Sequence, residues 1–341
     1  MGIMQFDRTR NYESLESLKK SLEIGIKLKD SVLVSKSYRA LASTYSNLGN
    51  FNLSIQNIYK ALPIFEKLND EFEIGNTYTE LASNLHRNKK YDDALNYNKK
   101  ALAIFISKDN KIREAVTYNN MSNNLNGLKQ YKQSINNSRK ADSLFKNLGY
   151  ERFTAYTKGN MAIAYDSLKL YNKAESLYKL AIDIHNEHEE YYELSFLQNA
   201  LANLYLKKKD YTKALEVANI ALSNALKVDA LEFETYSNKT LGELYKKINI
   251  PQKASYHFEN YAILKDSLFK IEEQKTQLEL KEQYEAAARD KEIAQQKEEL
   301  LAQQLVIKNR NLYALIITSI LLILGIIYYA FLNAIIKKTT T

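Results

Sequence analysis

The residue types that carry most protein chemistry are sparse in this chain of 341 residues. It contains no cysteine, which excludes disulfides, thiolate zinc sites, iron–sulfur ligation and a cysteine nucleophile. Two of its four histidines, His185 and His188, lie three residues apart beside Glu187, Glu189 and Glu190. This spacing could hold a metal ion on one face of a helix. Because these residues fall where a helix is expected to end, we interpret them as a solvated turn and predict no metal site.

Catalytic and nucleotide-binding motifs are also missing from the sequence. It has no glycine-rich phosphate-binding run, and no serine or lysine stands beside a plausible base. The net charge of +8 comes from lysines that are scattered among aspartates and glutamates, so it indicates a solvated helical surface. The sequence therefore predicts a protein that is not an enzyme, binds no cofactor and has no nucleic-acid partner.

The elements of the fold follow from an internal repeat. Large apolar residues recur every 40 residues, each followed by a small residue and, four positions on, by another large one. The first residues of these motifs are Leu41, Leu81, Met121, Met161, Leu201 and Leu241. Serine or alanine stands thirteen positions later, and alanine stands twenty positions later except at Tyr261. Small residues let helices approach closely and large ones fill the remaining space, so the pattern predicts antiparallel helix pairs over about 33–48 and 52–68, repeated every 40 residues.

The repeat motif has a specific spacing. In the fifth copy its residues are Leu201, Ala202, Tyr205, Tyr211, Ala214 and Ala221. This spacing resembles the tetratricopeptide repeat (TPR), and six copies in register extend the resemblance to about residue 265. The resemblance implies an all-α superhelical solenoid of antiparallel helix pairs.

The chain departs from the tetratricopeptide pattern in two respects. Its period is 40 residues against about 34 in the family. At the turn within each pair, only Gly49 keeps the expected glycine. Lysines replace it in later copies, and we predict from them that these turns avoid a positive φ. These lysines are Lys89, Lys129, Lys169 and Lys209.

The composition changes after the repeats. Residues 266–311 are rich in Glu, Gln, Lys and Ala, with apolar residues in two seven-residue series, which indicates a long signalling helix of weak coiled-coil character. Its intermediate core positions are often Gln or Lys, so a homodimer through this helix is expected to be marginal. Residues 312–336 carry no charge, and Tyr313, Tyr328 and Tyr329 stand near their ends. A helix of this length crosses a bilayer, so we predict a transmembrane helix with the lipid bilayer as its partner.

The sequence thus predicts five segments. They are a partial first repeat over 1–30, six repeats over 31–265, the coiled-coil-like helix over 266–311, the transmembrane helix over 312–336 and a short tail over 337–341.

A tetratricopeptide array followed by a charged helix and one membrane span resembles the sensory half of the bacterial sensor histidine kinases that carry such repeats in two-component systems. The resemblance implies repeats in the periplasm and a cytoplasmic output domain after the span. The phosphoacceptor histidine and the ATP-binding motifs of that family are absent from this sequence, so kinase activity is not carried over. We expect the chain to be a fragment of such a sensor, incomplete at both ends.

The side of the membrane stays open at this point. Five Lys or Arg residues occur in the 24 residues before the span and two after it, which places the repeats in the cytoplasm if the chain is complete. The resemblance places them in the periplasm. Either way we expect a single-pass protein of the bacterial cytoplasmic membrane. Its preferred function is a membrane-anchored module that binds a protein or peptide and transmits a signal, and the alternative is a tail-anchored cytoplasmic scaffold without a signalling role.

The resemblance also implies where a partner would bind. In the tetratricopeptide fold the first helix of each pair lines the concave surface, and fixed offsets from the signature residue select groove-facing positions. Asparagine can donate and accept hydrogen bonds at once, as an extended peptide requires. The selected residues are Asn76, Asn119, Asn120, Asn123, Asn160, Asn199, Asn203 and Lys239, with Arg39, Arg87, Lys207 and Lys246 around them. The alternative for Asn120 and Asn160 is that they bind backbone within the array.

Overall fold

The computed structural model describes residues 2–339 along the backbone. Within that range the described side chains exclude those of 2–10, 12, 286, 287, 289, 290, 292, 293, 328, 329 and 331–339. The described backbone consists of thirteen α-helices and one 3₁₀ turn, without a strand. The predicted all-α fold is therefore confirmed.

The helices alternate as antiparallel neighbours. After α1 (Gly2–Leu28) they form pairs in which α2, α4, α6, α8, α10 and α12 are the A helices and their successors are the B helices. The pairs are α2 (Ser31–Asn47) with α3 (Phe51–Lys67), α4 (Glu71–Arg87) with α5 (Tyr91–Ser107), α6 (Lys111–Gly127) with α7 (Tyr131–Asn147), α8 (Thr154–Ser167) with α9 (Tyr171–Glu187), α10 (Tyr191–Lys207) with α11 (Tyr211–Lys227), and α12 (Leu231–Lys247) with the start of α13 (Pro251–Thr339). The 3₁₀ turn Glu151–Phe153 precedes α8. The observed bounds of α2 and α3 lie within two residues of the prediction.

The repeated apolar and small residues form the core. Leu41, Leu81 and Leu241 are at most 3% exposed. The small residues of the B helices are fully buried where the helices of a pair cross. They are Ser54, Ala94, Ser134, Ala174 and Ala214 at the first position and Ala61, Ala101, Ala141, Ala181 and Ala221 at the second. Full burial of residues without bulky side chains allows the close helix approach that the spacing predicted.

Every helix from α1 to α12 ends in the same backbone conformation. A residue with positive φ follows each helix at intervals of 20 residues, from Lys29 to Asn249. After α4, Lys89 has φ 60°, and the N–H groups of Lys89 and Lys90 bond the carbonyls of His86 and Leu85 at 2.8 and 2.9 Å. This is the Schellman closure of a helix. The prediction that the turn lysines avoid positive φ is wrong, because these backbone bonds require a left-handed residue whatever its side chain.

The chain divides into two compact units, Met1–Thr276 and Gln277–Thr341. The first holds the helix pairs and the beginning of α13. In the second, described residues of α13 include one stretch, Ala294–Ile327, that is long and apolar enough to cross a membrane by length and composition. It overlaps the predicted span over 312–336. The side chains of Tyr328, Tyr329, Lys337 and Lys338, which the prediction also used, lie outside the described residues.

Candidate peptide-binding groove

A polar cavity of about 430 Å³ opens on the A helices of the second and third pairs. Glu232, from the first turn of α12, also lines it. The inner side of the array therefore curves far enough to bring the sixth pair opposite the second. The other lining residues are Ala82, Ser83, His86, Arg87, Lys89, Tyr91, Asn98, Asn120, Asn123 and Asn124.

Two buried carboxamides stand at this cavity with unused hydrogen-bonding capacity. Asn98 of α5 and Asn124 of α6 are each 1% exposed. The Oδ1 atom of Asn98 and the Nδ2 atom of Asn124 have no hydrogen-bond partner among the described residues. One buried acceptor and one buried donor are therefore unpaired beside the same cavity, and unpaired buried polar groups are costly unless something binds them.

His86 fixes the orientation of one of these carboxamides. Its Nδ1 lies 2.6 Å from Oδ1 of Asn124, and because an amide oxygen only accepts, His86 carries its proton on Nδ1. Burial lowers the pKa of His86, and the nearby charge of Arg87 lowers it further, whereas the hydrogen bond that His86 donates to Asn124 raises it. The ring is therefore neutral at neutral pH, and its Nε2 atom is an acceptor.

The predicted groove residues separate into three groups. Asn120, which is half-buried, and Asn123, which is exposed, line the cavity. Asn76 is half-buried with an unpaired Oδ1, and Lys239 is exposed on α12; neither lines this cavity. The others bind within the array.

Neighbouring A helices are joined by the remaining asparagines. The Nδ2 of Asn160 donates to Oδ1 of Asn119 at 2.9 Å, and the Asn160 carbonyl accepts from Asn126 Nδ2 at 2.9 Å. Asn199, 2% exposed, donates to the Phe233 carbonyl at 3.4 Å and accepts from the Ser237 hydroxyl at 2.9 Å. These side chains hold adjacent repeats together.

Asn203 completes this group, because its Nδ2 donates to the phenol oxygen of Tyr236. Asn98 is a cavity-lining residue that the offsets did not select. It lies on a B helix, and the offset rule selects only A-helix positions.

The surrounding basic residues differ in their pairing. Arg39 contacts Glu73, and Lys207 bonds Asp166 at 2.6 Å. Arg87 lies over the Phe51 ring at 5.5 Å and has no carboxylate within 4 Å in the described part of the chain. Lys246 is exposed. Arg87 is thus the predicted basic residue that remains available at the cavity.

A second cavity of about 760 Å³ continues from the first, sharing Arg87 and Glu232 with it. The start of α13 forms one of its walls, and Asn50 Nδ2 donates to the Lys275 carbonyl at 3.2 Å. Its lining also includes Gly49, Phe51, Tyr192, Leu231, Leu268 and Ile271. The interior is therefore bounded by the first, second, fifth and sixth pairs together.

The solvated turn that we predicted for the histidine pair forms at His188, which is exposed, but not at His185. His185 is 1% exposed, its Nδ1 lies 2.6 Å from Glu190 Oε2, and the Tyr156 ring meets it edge-on at 4.9 Å. Burial favours a higher pKa for Glu190, but hydrogen bonds from Arg152 and His185 outweigh it and lower that pKa. His188 follows the end of α9. The side chain of His185 turns inward to this partner, so the prediction is wrong for it.

Comparison with protein-family models matches two stretches of the chain, 73–147 and 154–189, to the tetratricopeptide repeat. A comparison with curated protein sequences gave no match.

Solved structures share the fold at low sequence identity. The apo form of RapI has a TM-score of 0.64 at 13% identity, covering 79% of this chain and 96% of RapI. A Rap protein complexed with competence and sporulation factor has a TM-score of 0.59 at 18% identity, covering 75% and 80%. A signal transduction ATPase with a tetratricopeptide repeat sensor, from Pyrococcus horikoshii, has a TM-score of 0.58 at 18% identity, covering 79% of this chain and 44% of that protein.

Proposed function

We propose that this chain, whose helix pairs are tetratricopeptide repeats, is a membrane-anchored module that binds an extended peptide segment of a partner protein on its inner surface. The observation that carries the proposal is the carboxamide-lined cavity, where Asn98 and Asn124 keep an unpaired acceptor and an unpaired donor. An extended peptide offers N–H and C=O groups in alternation, so it matches such a lining. Asn120 and Asn123 supply two more carboxamides at the rim.

The structural neighbours support a binding role and a sensor role. The Rap protein was solved in complex with competence and sporulation factor, so one array of this fold holds a partner. The signal transduction ATPase uses its tetratricopeptide repeats as a sensor. The repeat fold is typically non-catalytic. We therefore propose that this chain is the sensor portion of a signal-transduction protein and is not itself an enzyme.

A selection experiment tests the peptide-binding proposal. A library of short randomised peptides is displayed and selected on the full chain in detergent micelles. We expect the library to yield enriched peptides. Their affinity is expected to fall about 10-fold when either Asn120 or Asn123 is changed to alanine, because each variant loses the hydrogen bonds of one carboxamide to the peptide. Asn96→Ala, an exposed asparagine of α5, is the matched control and keeps full affinity.

Two results would contradict the proposal. One is a library in which no peptide is enriched over a column without protein. The other is enriched peptides whose affinity does not respond to Asn120→Ala or Asn123→Ala, which would place binding elsewhere on the array.

The membrane anchor has its own test. We propose that residues 312–336 span the bilayer, so the chain stays with the membrane fraction after alkaline carbonate washing and a chain ending at 311 does not. Protease added to intact spheroplasts then separates the two roles. Digestion of the repeats supports the periplasmic sensor, whereas protection supports the cytoplasmic scaffold.

Self-association is proposed to be weak and to run through residues 266–311. Described apolar side chains there, such as Leu300 and Leu305, are more than half exposed, but Gln and Lys occupy many positions between them. Sedimentation equilibrium in density-matched detergent is expected to show a monomer that dimerises only at high concentration. A tight dimer would contradict this.

A further inference from the structure

Aromatic rings form an exposed surface at the start of α10 and α12. The ring centroids of Tyr192 and Phe233 are 4.8 Å apart, and those of Phe196 and Phe233 are 5.8 Å apart. Tyr192, Phe196 and Tyr236 are 50%, 43% and 41% exposed. Tyr192 also lines the interior cavity that continues from the carboxamides. This cluster is therefore open to a ligand that lies along the inner surface.

Other tyrosines of the array are covered by the chain's own lysines. Lys100 lies 4.9 Å from the Tyr97 ring centroid, Lys140 lies 5.0 Å from Tyr118, and Lys227 lies 4.2 Å from Tyr191. Further pairs of this kind are Lys60 with Tyr38, Lys173 with Tyr165, Lys213 with Tyr205 and Lys253 with Tyr245. In the part of the chain that the structure describes, no such cation lies over Tyr192, Phe196, Phe233 or Tyr236. Their ring faces remain available for one.

Two carboxylates, Glu232 and Glu193, lie near the Tyr192 ring. Glu232 is exposed and has no basic group within 4 Å among the described residues, unlike Asp166, which is paired with Lys207 at 2.6 Å. Glu193 accepts from the Tyr156 phenol at 3.2 Å. Burial raises the pKa of Tyr192, and the charges of Glu232 and Glu193 raise it further. Two carboxylates therefore act on the Tyr192 ring, in a chain whose net charge is +8.

Two basic residues lie near this surface without covering it. The charge of Arg87 lowers the pKa of Tyr192, whereas that of Glu232 raises it. The guanidinium of Arg87 lies over the ring of Phe51, at the start of α3. Lys239 is exposed seven residues after Glu232 on α12.

We infer that the acidic aromatic surface, formed by Tyr192, Glu193, Phe196, Glu232, Phe233 and Tyr236, binds an arginine side chain of the peptide segment. A planar guanidinium stacks on aromatic faces and donates paired hydrogen bonds to a carboxylate. Glu232 lines both cavities, so a peptide seated at the carboxamides reaches it without leaving the groove. This inference rests on the proposed peptide binding and names the residue that gives it specificity.

The peptide library provides the test. Enriched sequences are expected to share an arginine at one position. For an enriched peptide, replacement of that arginine by citrulline, its neutral isostere, is expected to weaken binding to the full chain about 10-fold. Glu232→Gln and Phe196→Ala are expected to weaken the arginine peptide to a similar extent and the citrulline peptide less than twofold.

Control variants guard against general loss of structure. Glu216→Gln and Leu180→Ala change an exposed carboxylate and an exposed leucine on B helices, and both are expected to keep full affinity for the arginine peptide. Circular dichroism checks that all variants remain folded. If Phe196→Ala unfolds, Glu232→Gln alone decides.

The outcomes distinguish this inference from the proposed function. No enriched peptide at all would overturn both. Enriched peptides that carry no common arginine, or that carry an apolar or proline residue there, would overturn only the arginine site. Variants that weaken the arginine and citrulline peptides equally would also overturn only the arginine site, because the surface would then not sense the guanidinium.

Discussion

At the residue scale, the left-handed lysines are positions where the backbone overrides the side chain. Lys89, Lys129, Lys169 and Lys209 have φ of 58° to 61°, a region that disfavours residues with a Cβ by about 1–2 kcal/mol. The backbone hydrogen bonds around each lysine close the preceding helix, so the left-handed conformation persists although lysine has a Cβ. These sites therefore hold strain that glycine would relieve.

Lys89→Gly is accordingly expected to stabilise the solenoid by about 0.5 kcal/mol, since relief of the left-handed strain exceeds the extra chain entropy of glycine. The four substitutions together should add to about 2 kcal/mol because the sites are far apart. Urea unfolding of the full chain in detergent, followed by circular dichroism, measures the change. Lys99→Gly, in the exposed middle of α5, should instead destabilise by about 1 kcal/mol. If both variants destabilise, the lysine turns hold no strain that glycine can relieve.

Glu175 links stability to acid pH. Burial favours a higher pKa, but hydrogen bonds from Lys208, Lys179 and Tyr205 outweigh it and lower the pKa of Glu175 from 4.5 to about 2. A lowered folded-state pKa means that the stabilisation is present above pH 4.5 and is lost as the pH falls towards 2.

Thermal unfolding of wild type and Glu175→Gln should therefore differ most at neutral pH, with the wild type more stable. The difference should shrink between about pH 4.5 and about pH 2. Glu216→Gln, which removes an exposed carboxylate of α11, should show no such dependence. A constant difference between wild type and Glu175→Gln across this range would exclude the ionised carboxylate as its source.

At the scale of elements, the α6/α7 pair has buried hydroxyls where the α10/α11 pair has alanine at all three places. Ser122, Ser134 and Ser138 are fully buried. The Ser122 hydroxyl donates to the Ser134 carbonyl at 3.0 Å and lies 2.8 Å from the Ser134 hydroxyl. Each member of the cluster depends on the others for hydrogen bonds.

Ser122→Ala alone is expected to destabilise the solenoid by about 1 kcal/mol, because it leaves buried hydroxyls without this partner. The triple change of Ser122, Ser134 and Ser138 to alanine should restore the wild-type stability within about 0.5 kcal/mol, since the α10/α11 pair packs with alanine at these places. Urea unfolding of wild type, Ser122→Ala and the triple variant measures these differences in the free energy of unfolding. A triple variant less stable than Ser122→Ala would show that the hydroxyls act independently.

The helix pairs could be predicted from sequence because the small residues of the B helices recur at fixed intervals and admit one packing arrangement. The turns could not be predicted correctly at Lys89, since the Schellman bonds are a backbone property that side-chain preference does not reveal. The sequence also predicts that His185 lies near the end of a helix. It does not predict the inward orientation of the side chain, because that depends on contacts with Tyr156 and Glu190, which lie outside its helix.

The candidate site was predictable only in part. The offsets placed Asn120 and Asn123 at the cavity, because an A-helix position fixes which side of the array a residue faces. The same offsets selected Asn160 and Asn199, whose hydrogen bonds run to the neighbouring repeat. Whether a groove asparagine is free depends on the distance to the next helix, which the sequence pattern does not contain.

At the scale of the whole array, the curvature brings distant repeats together. Arg87 and Glu232 line the same cavities although they are separated by several repeats. Each repeat adds a small rotation, and the sum over six repeats decides which residues meet. No single repeat motif reveals that sum, so the sequence could not show that α13 returns to the first pair.

The contact between Asn50 and α13 allows a test of this closure. Asn50 accepts from the Leu53 N–H as the N-cap of α3 and donates from Nδ2 to the Lys275 carbonyl at 3.2 Å. Asn50→Ser keeps a capping oxygen but is too short to reach Lys275. We expect faster amide hydrogen exchange in residues 264–276 of the variant, with protection of α3 unchanged. Asn110→Ser, the same change at the N-cap of α6, is the control and should leave 264–276 as in the wild type. Equal exchange in both variants would mean that the Asn50 bond does not hold α13 against the first pair.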